Sequence, residues 1–318
     1  MKKIFFAIIT LISWAVSAMA QCPDPVTSTS NVTLTKRVAV VGMLKGRFTI
    51  NSAGDQVSFS KGNLQYKAAP SPEWRFAENQ WDIIGGSGSN NRAPYNVTSG
   101  NNSPSASQVN WIDLFGWATS GNPDSNPVGY QPYYTGSTNT DYGPSISSGD
   151  WNTDDSDWGV VNSGQLGAGW RTLTKAEWEY MLNLSNNAQY RQGNRFAKAT
   201  VHGVQGLLIL PDGWTQAKSA MAGHLTTNQN SSSYSHELSD ENWEALESEG
   251  CVFLPAAGHR NASSNTVGYA TYNANYWTST ANSTTQAYFF YVPSSSAMSF
   301  STGNRSTGYS VRLVKVLP

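Results

Sequence analysis

The sequence predicts an α+β fold with two helices, many short antiparallel strands and long ordered loops. Two segments carry helix-start signatures, and several short stretches alternate apolar and polar residues between clusters of Gly, Ser, Asn and Pro. Of the 318 residues, 39% are apolar and 12% are aromatic. This apolar content can form a buried core, so the composition argues against a disordered chain despite its many small polar residues.

The two helices are predicted from their capping residues. Thr174–Glu177 has the pattern of a capping box, in which a Thr hydroxyl and a Glu carboxylate bond the free N–H groups of a helix start. Apolar residues follow at helical spacing, which predicts a helix over about 175–184. Ser239 marks the start of the second helix and Gly250 its end, since Gly readily adopts the left-handed conformation that ends a helix.

Short strands are predicted where β-branched and aromatic residues alternate with polar ones. Segments 196–201 and 206–210 are expected to form a hairpin, with Pro211–Gly213 as its closing turn. The other predicted strands are 47–50, 57–59, 64–66, 252–254, 276–279, 287–292 and 310–314.

The first residues have the pattern of a secretory signal peptide. Lys2 and Lys3 precede an apolar run over 4–16, and Ala18–Ala20 provides the small residues that signal peptidase recognises before Gln21. We therefore expect an exported protein that resides at the cell surface, in the periplasm or outside the cell.

The chain is predicted to comprise three segments. These are the signal peptide over 1–20, a linker rich in Ser, Thr and Pro over 21–37, and one domain over 38–318. No second apolar run is long enough to cross a bilayer, so no membrane span is predicted.

The two cysteines leave two questions open. Cys22 follows the expected cleavage site, but Gln21 stands where a lipid-attachment motif has Gly or Ala, which disfavours a lipid anchor. In an oxidising compartment Cys22 and Cys251 can form one disulfide; the alternative is one buried thiol and one free thiol.

Charge is not expected to drive binding. The net charge is −1 at pH 7, and only 13% of the residues are charged. A chain of this kind lacks the basic surface that neutralises nucleic-acid phosphates, so we predict no nucleic-acid partner.

The common catalytic signatures are absent from the sequence. It contains no phosphate-binding loop, no serine-nucleophile elbow and no zinc-binding helix motif. No cofactor is therefore predicted except a possible Ca²⁺ ion, for which Asp150, Asn152, Asp154 and Asp157 offer oxygen ligands. Because this segment lacks the Gly and the Glu of an EF-hand loop, a solvated turn is the alternative.

Three motifs in chain order carry a family resemblance. They are W-R-T-L-T-K-A-E-W-E-Y over 170–180, Y-W-T-S-T over 276–280 and G-Y-S-V-R-L-V over 308–314. Together they resemble the formylglycine-generating-enzyme-like (sulfatase-modifying-factor-like) branch of the C-type lectin fold, over about 46–316. Enzymes of that branch act through a cysteine pair near the end of the domain. No cysteine follows Cys251, so the resemblance implies the fold without this activity.

Within that branch, the chain is most similar to exported bacterial variable proteins of diversity-generating retroelements. These elements mutate adenines in Asn codons and leave a fixed W-[ST]-S and G-[FY]-S-V-R-L-V frame, both ends of which are present here. A fixed relative with the same frame is the alternative. The candidate ligand-binding residues inside the frame, each reachable from an Asn codon by changing its two adenines, are Phe289, Tyr291, Pro293, Ser296, Ala297, Ser299, Ser301, Thr302, Gly303, Ser306 and Thr307. Tyr272, Asn273 and Asn275 extend the surface on the N-terminal side.

We therefore predict an exported, non-catalytic protein that binds its ligand through a C-terminal loop surface. Aromatic rings beside small hydroxyl residues suit a broad, wet interface, so the expected partner is a protein or a glycan on a cell or phage surface. Arg312 is expected to be a buried structural residue. The alternatives are a formylglycine-generating-like enzyme with altered chemistry and a structural envelope protein in which the 12 Trp serve only packing.

Overall fold

The computed structural model describes most of the chain after its N-terminal region. The described residues are 42–88, 91, 100–122, 128–152, 156–219, 225–230, 233–234 and 236–318. The predicted signal peptide and linker lie outside the described residues, as do Cys22 and Asp154. The predicted α+β class is confirmed, because helices occur among strands that are mostly antiparallel.

Sixteen strands and four α-helices form the described structure. The strands are β1 Phe48–Thr49, β2 Gln56–Phe59, β3 Leu64–Lys67, β4 Glu73–Phe76, β5 Gly149–Asp150, β6 Trp170–Thr172, β7 Phe196–Val201, β8 Val204–Ile209, β9 His236–Leu238, β10 Val252–Pro255, β11 His259–Arg260, β12 Val267–Gly268, β13 Ala274–Ala281, β14 Gln286–Val292, β15 Ser299–Asn304 and β16 Leu313–Val316. The helices are α1 Trp158–Val161, α2 Ser163–Leu166, α3 Lys175–Leu182 and α4 Asp240–Ser248.

The two predicted helices are α3 and α4. The capping box of α3 is present, with the Thr174 hydroxyl accepting from the Glu177 N–H and the Glu177 carboxylate accepting from the Thr174 N–H. The helix ends at Asn183, whose φ of 45° is left-handed, slightly before the predicted end. Ser239 caps α4 as predicted. The prediction of two helices missed α1 and α2, since four residues are too few to show a helical apolar repeat.

The predicted hairpin over 196–210 is confirmed, but its predicted turn is wrong. Strands β7 and β8 pair from Phe196 opposite Ile209 to Val201 opposite Val204, so His202 and Gly203 form the turn. Both turn residues have positive φ, 47° and 77°, as a two-residue turn matched to the strand twist requires. Pro211–Gly213 therefore follows the hairpin rather than closing it.

Three four-stranded sheets organise the fold. Their strand orders are β1-β2-β16-β6, β10-β8-β7-β9 and β15-β14-β13-β5. Only β7 and β9 pair in parallel among the described strands. Helix α3 packs between the first and the third sheet, where the Trp178 ring lies 5.7 Å from Phe59 and 5.6 Å from Phe290. This contact fixes the third sheet against the core.

The three motifs that carry the family resemblance meet in space. Thr172 of β6 pairs with Leu313 of β16. The Ser279 N–H of β13 donates to the Leu173 carbonyl at 3.0 Å, and the Trp277 N–H donates to the Ser310 carbonyl at 3.0 Å. These backbone bonds join the three motifs into one structural unit.

Arg312 lies in the interior, as predicted. It is 1% exposed. Its guanidinium donates to the Lys61 carbonyl at 3.1 Å and to Gln80 Oε1 at 3.0 Å. The last strand is thereby tied to the segment that follows β2.

No membrane-crossing helix occurs in the described ranges, where every helix is too short or too polar to span a bilayer.

Candidate ligand-binding site

The register of the third sheet decides which predicted residues share a face. Phe289 of β14 lies opposite Trp277 of β13 and Ser301 of β15, and Tyr291 lies opposite Asn275 and Ser299. Because side chains alternate between the two faces of a strand, these residues project from the same side of the sheet.

This side of the sheet contains a depression of about 360 Å³. Its lining residues, called the depression residues below, are His259, Tyr269, Asn273, Asn275, Phe289, Tyr291, Ser301 and Tyr309. Asn273, Asn275, Phe289, Tyr291 and Ser301 belong to the surface predicted from the sequence. The structure brings these five together in one concave site.

Aromatic rings build the floor of the depression. Phe289 and Tyr309 are 7% and 8% exposed, and their ring centroids lie 4.4 Å apart. Trp277 supports Tyr309 from below at 4.5 Å. The floor is therefore rigid, because three large rings pack against one another.

A stacked pair of rings stands at the rim. The rings of His259 and Tyr269 lie 5.7 Å apart with planes inclined by only 16°. Tyr269 is 39% exposed, and its φ of 61° turns the chain so that its carbonyl accepts from the N–H groups of Tyr272 and Asn273. The tight turn presents the Tyr269 ring to solvent and holds Asn273 beside it.

The described depression residues include no Asp, Glu, Lys or Arg. Burial lowers the pKa of His259, so its imidazole is neutral at pH 7. Burial also raises the pKa of Tyr291 and of Tyr309, which keeps both phenols protonated. The site therefore offers apolar rings and neutral hydrogen-bonding groups.

Sequence reasoning missed three depression residues. His259 and Tyr269 belong to the segment around β11 and β12, which precedes the fixed frame and has no motif of its own. Tyr309 stands inside the G-Y-S-V-R-L-V frame, which marked it as scaffold rather than site. Of these three residues, only Tyr309 lies in a motif that could have drawn attention to it as a site residue.

Ser299 and Gly303 flank Ser301 on the same face of β15. Gly303 lies directly over the floor, because a Cβ added there would be 3.1 Å from the Tyr309 hydroxyl and 3.3 Å from Phe289 Cδ1. Any side chain at this position would enter the depression. Thr302 pairs with Tyr288 and, by strand alternation, projects from the opposite face of the sheet.

The remaining predicted residues lie outside the depression. Ser306 is 1% exposed and its hydroxyl donates to Asn139 Oδ1 at 2.6 Å. It therefore makes a structural contact, which corrects its inclusion in the predicted binding set. Thr307 is half-buried and its N–H donates to the Asn304 carbonyl at 2.9 Å. Tyr272 is half-buried in the turn after Tyr269.

Lys198 holds the turn between β14 and β15, which contains the other predicted residues. Its ammonium, 2% exposed, donates to the carbonyls of Pro293 at 2.9 Å and Ser296 at 2.8 Å. Pro293 itself is buried, whereas Ser296 and Ala297 are exposed. Burial lowers the pKa of Lys198 to about 8. One buried cation thus shapes the end of the hairpin.

Two residues of the predicted calcium site, Asp150 and Asp157, accept hydrogen bonds from the protein. Asp157 caps α1, with one carboxylate oxygen accepting from the Gly159 N–H at 2.7 Å and the other from the Thr172 N–H at 2.9 Å. Asp150 is exposed and accepts a hydrogen bond from the Thr280 hydroxyl. Asn152 is half-buried.

Within the described ranges, no group of three or more His, Cys, Asp or Glu residues is placed to hold a metal ion. Calcium binding stays a prediction, because Asp154 is not described.

Comparison with known proteins gave no match: no family model fits the sequence, and neither a curated protein nor a solved structure is significantly similar to it.

Removal of the Lys198 ammonium should loosen the hairpin turn. In Lys198→Met the two carbonyls lose their donor, so we expect the free energy of unfolding to fall by about 1–3 kcal/mol. We also expect faster amide exchange at Met298, whose N–H bonds Asn230 in the same turn. Chemical denaturation and hydrogen exchange measure both effects. The matched control is Lys218→Met at an exposed position; equal behaviour of the two variants would contradict the role of Lys198.

The buried carboxyl of Asp157 should make stability depend on pH. Burial raises its pKa from 3.8 to about 6, so the folded state favours the protonated form. That contribution is fully present below pH 4 and is lost as the pH rises through 6. From pH 4 to 7, the unfolding free energy of the wild type should fall by about 2 kcal/mol relative to Asp157→Asn. A difference that is constant across this range would contradict the raised pKa.

Proposed function

We propose that the chain is an exported, non-catalytic binding protein with a C-type lectin-like fold. Its depression, together with the exposed side of β15, contacts a protein or a glycan on a cell or phage surface. The observation that carries the proposal is the convergence of five sequence-predicted residues with His259, Tyr269 and Tyr309 in one neutral, aromatic-lined depression. Concave sites with apolar walls and a few polar groups are the usual form of a ligand site.

The chemistry of the described residues supports binding without catalysis. The described depression residues include no carboxylate, lysine or cysteine. The Ser301 hydroxyl and the His259 imidazole both line the depression, but within the described structure no hydrogen bond pairs them as a nucleophile with its base. Cys251 is 0% exposed, and burial raises the pKa of its thiol. A buried, protonated thiol is a poor nucleophile.

Two features support the likeness to variable proteins of diversity-generating retroelements. The fixed frame residues Trp277 and Arg312 are 1% exposed and hold the scaffold. Of the changeable positions, Ser296, Ala297, Ser299, Ser301 and Thr302 are exposed, whereas Phe289, Pro293 and Ser306 are buried. A buried frame beneath an exposed, tolerant face is what repeated diversification without loss of folding requires.

The DNA around the gene tests the retroelement origin. We expect a near-copy of the segment that encodes 273–314, differing only at adenines, beside a reverse-transcriptase gene. Sequencing of the flanking DNA finds or excludes it. Absence of such a copy would overturn diversification and leave a fixed binding protein as the proposal.

Substitutions of exposed residues on β15 and of the buried tryptophan in the W-[ST]-S motif should differ sharply in their effect on the free energy of unfolding. Ser299→Asn and Ser301→Asn should change the free energy of unfolding by no more than about 0.5 kcal/mol, because both side chains are exposed. Trp277→Ala should cost about 3–5 kcal/mol, because it removes a fully packed ring. Chemical denaturation measures all three variants. Comparable losses in the serine variants and in Trp277→Ala would argue for a structural role of the hairpin face.

A further inference from the structure

We infer that the depression binds one neutral saccharide unit of a glycan. The inference rests on the proposed function and narrows its ligand from two classes to one. It depends on the charge, the hydrogen-bonding groups and the size of the depression.

The first argument is the neutrality of the site. A charged ligand group placed among the described depression residues would lose water without gaining an opposite charge, which disfavours its binding. His259 does not change this, since its lowered pKa keeps the imidazole uncharged at pH 7. The site therefore selects against acidic and basic groups.

The second argument is the kind of polar group that remains available. The Asn273 side-chain amide makes no hydrogen bond within the described part of the chain and is half exposed beside the depression. The Ser301 hydroxyl is exposed on β15. The phenol-bearing residues Tyr269 and Tyr291 line the same depression. Amides and hydroxyls both donate and accept, as the hydroxyls of a sugar do.

The third argument is the arrangement of the rings. The electron-rich faces of aromatic rings attract weakly positive C–H groups, and one side of a pyranose ring consists of such groups. The His259 and Tyr269 rings are stacked, Tyr269 is 39% exposed, and Tyr291 lies in the same site. A pyranose can stack on a ring while its hydroxyls reach Asn273 and Ser301.

The fourth argument is size. A volume of about 360 Å³ lies at the low end of small-molecule sites, which span about 300–1,000 Å³. A stable protein–protein contact instead buries about 800 Å² on each partner. The depression alone therefore suits one compact unit better than a protein surface.

Saturation-transfer NMR on the purified chain tests the inference with defined probes. The neutral probes are methyl α-mannoside, methyl β-glucoside and methyl β-galactoside, and the charged probe is methyl β-glucuronide. A single unit should bind with a dissociation constant on the order of 1 mM. At least one neutral probe should receive saturation, and the glucuronide should bind about tenfold more weakly or not at all.

Two neighbouring positions on β15 give a matched pair of variants. Gly303→Val places a side chain against Tyr309 and Phe289 and should reduce sugar binding about tenfold or more. Thr302→Val, on the opposite face of the same strand, should leave sugar binding unchanged. Asn273→Ala provides a second loss-of-binding variant at a half-exposed position, in case Gly303→Val does not fold.

A parallel selection of displayed random peptides on the same variants separates this inference from the proposed function. Neutral sugar binding that is lost in Gly303→Val or Asn273→Ala and kept in Thr302→Val supports both the saccharide inference and the proposed function. Peptides that bind the wild type but not Gly303→Val, without any sugar binding, overturn the saccharide class and leave the binding function standing. Equal binding of the glucuronide, or sugar binding unaffected in both depression variants, overturns the inference. Failure of both probe classes overturns the inference and counts against the proposed function.

Discussion

A reciprocal pair of indole hydrogen bonds is the constraint on which the site depends. Trp277 Nε1 donates to the Phe115 carbonyl at 2.7 Å, and Trp117 Nε1 donates to the Thr278 carbonyl at 2.9 Å. Each bond joins β13 to the segment around 111–117, and each uses an indole N–H that burial would otherwise leave unpaired. Since Trp277 also supports Tyr309 at 4.5 Å, the same contact sets the floor of the depression.

Hydrogen bonds from a buried arginine hold polar segments that lack the hydrogen bonds of a helix or a strand. Arg305 is 1% exposed, and its guanidinium lies 4.2 Å from the Trp117 ring. Its terminal nitrogens donate to four main-chain carbonyls, those of Tyr142, Pro144, Ile146 and Ser283. One planar cation thereby satisfies backbone groups that no strand pairs, which explains how segments rich in Gly, Ser and Pro are ordered against the core.

Local signals in the sequence predicted local structure, and long-range contacts escaped them. The capping box and the strand alternation were readable because their causes lie within a few residues. The end of β7 at Val201 was predicted, but the turn at 202–203 was missed because Pro211–Gly213 has the stronger local turn signal. In the site, the frame motifs indicated the segment that forms the β14–β15 hairpin, but they carried no information about its register. Thr302 and Ser306 were therefore included, although Thr302 projects from the opposite face and Ser306 is buried. Tyr269 was missed because no motif marks the local turn that presents its ring.

The most direct test of the proposed ligand binding at the depression is residue-specific aromatic NMR of the chain with and without a bound probe. Tyr269, Tyr291 and Tyr309 line the depression, whereas Tyr288 lies on the opposite face of β14, 5.2 Å from the Lys175 ammonium. The account predicts that the signals of the three depression tyrosines shift on binding and that those of Tyr288 do not. Shifts confined to Tyr288, or to tyrosines remote from the sheet, would contradict it.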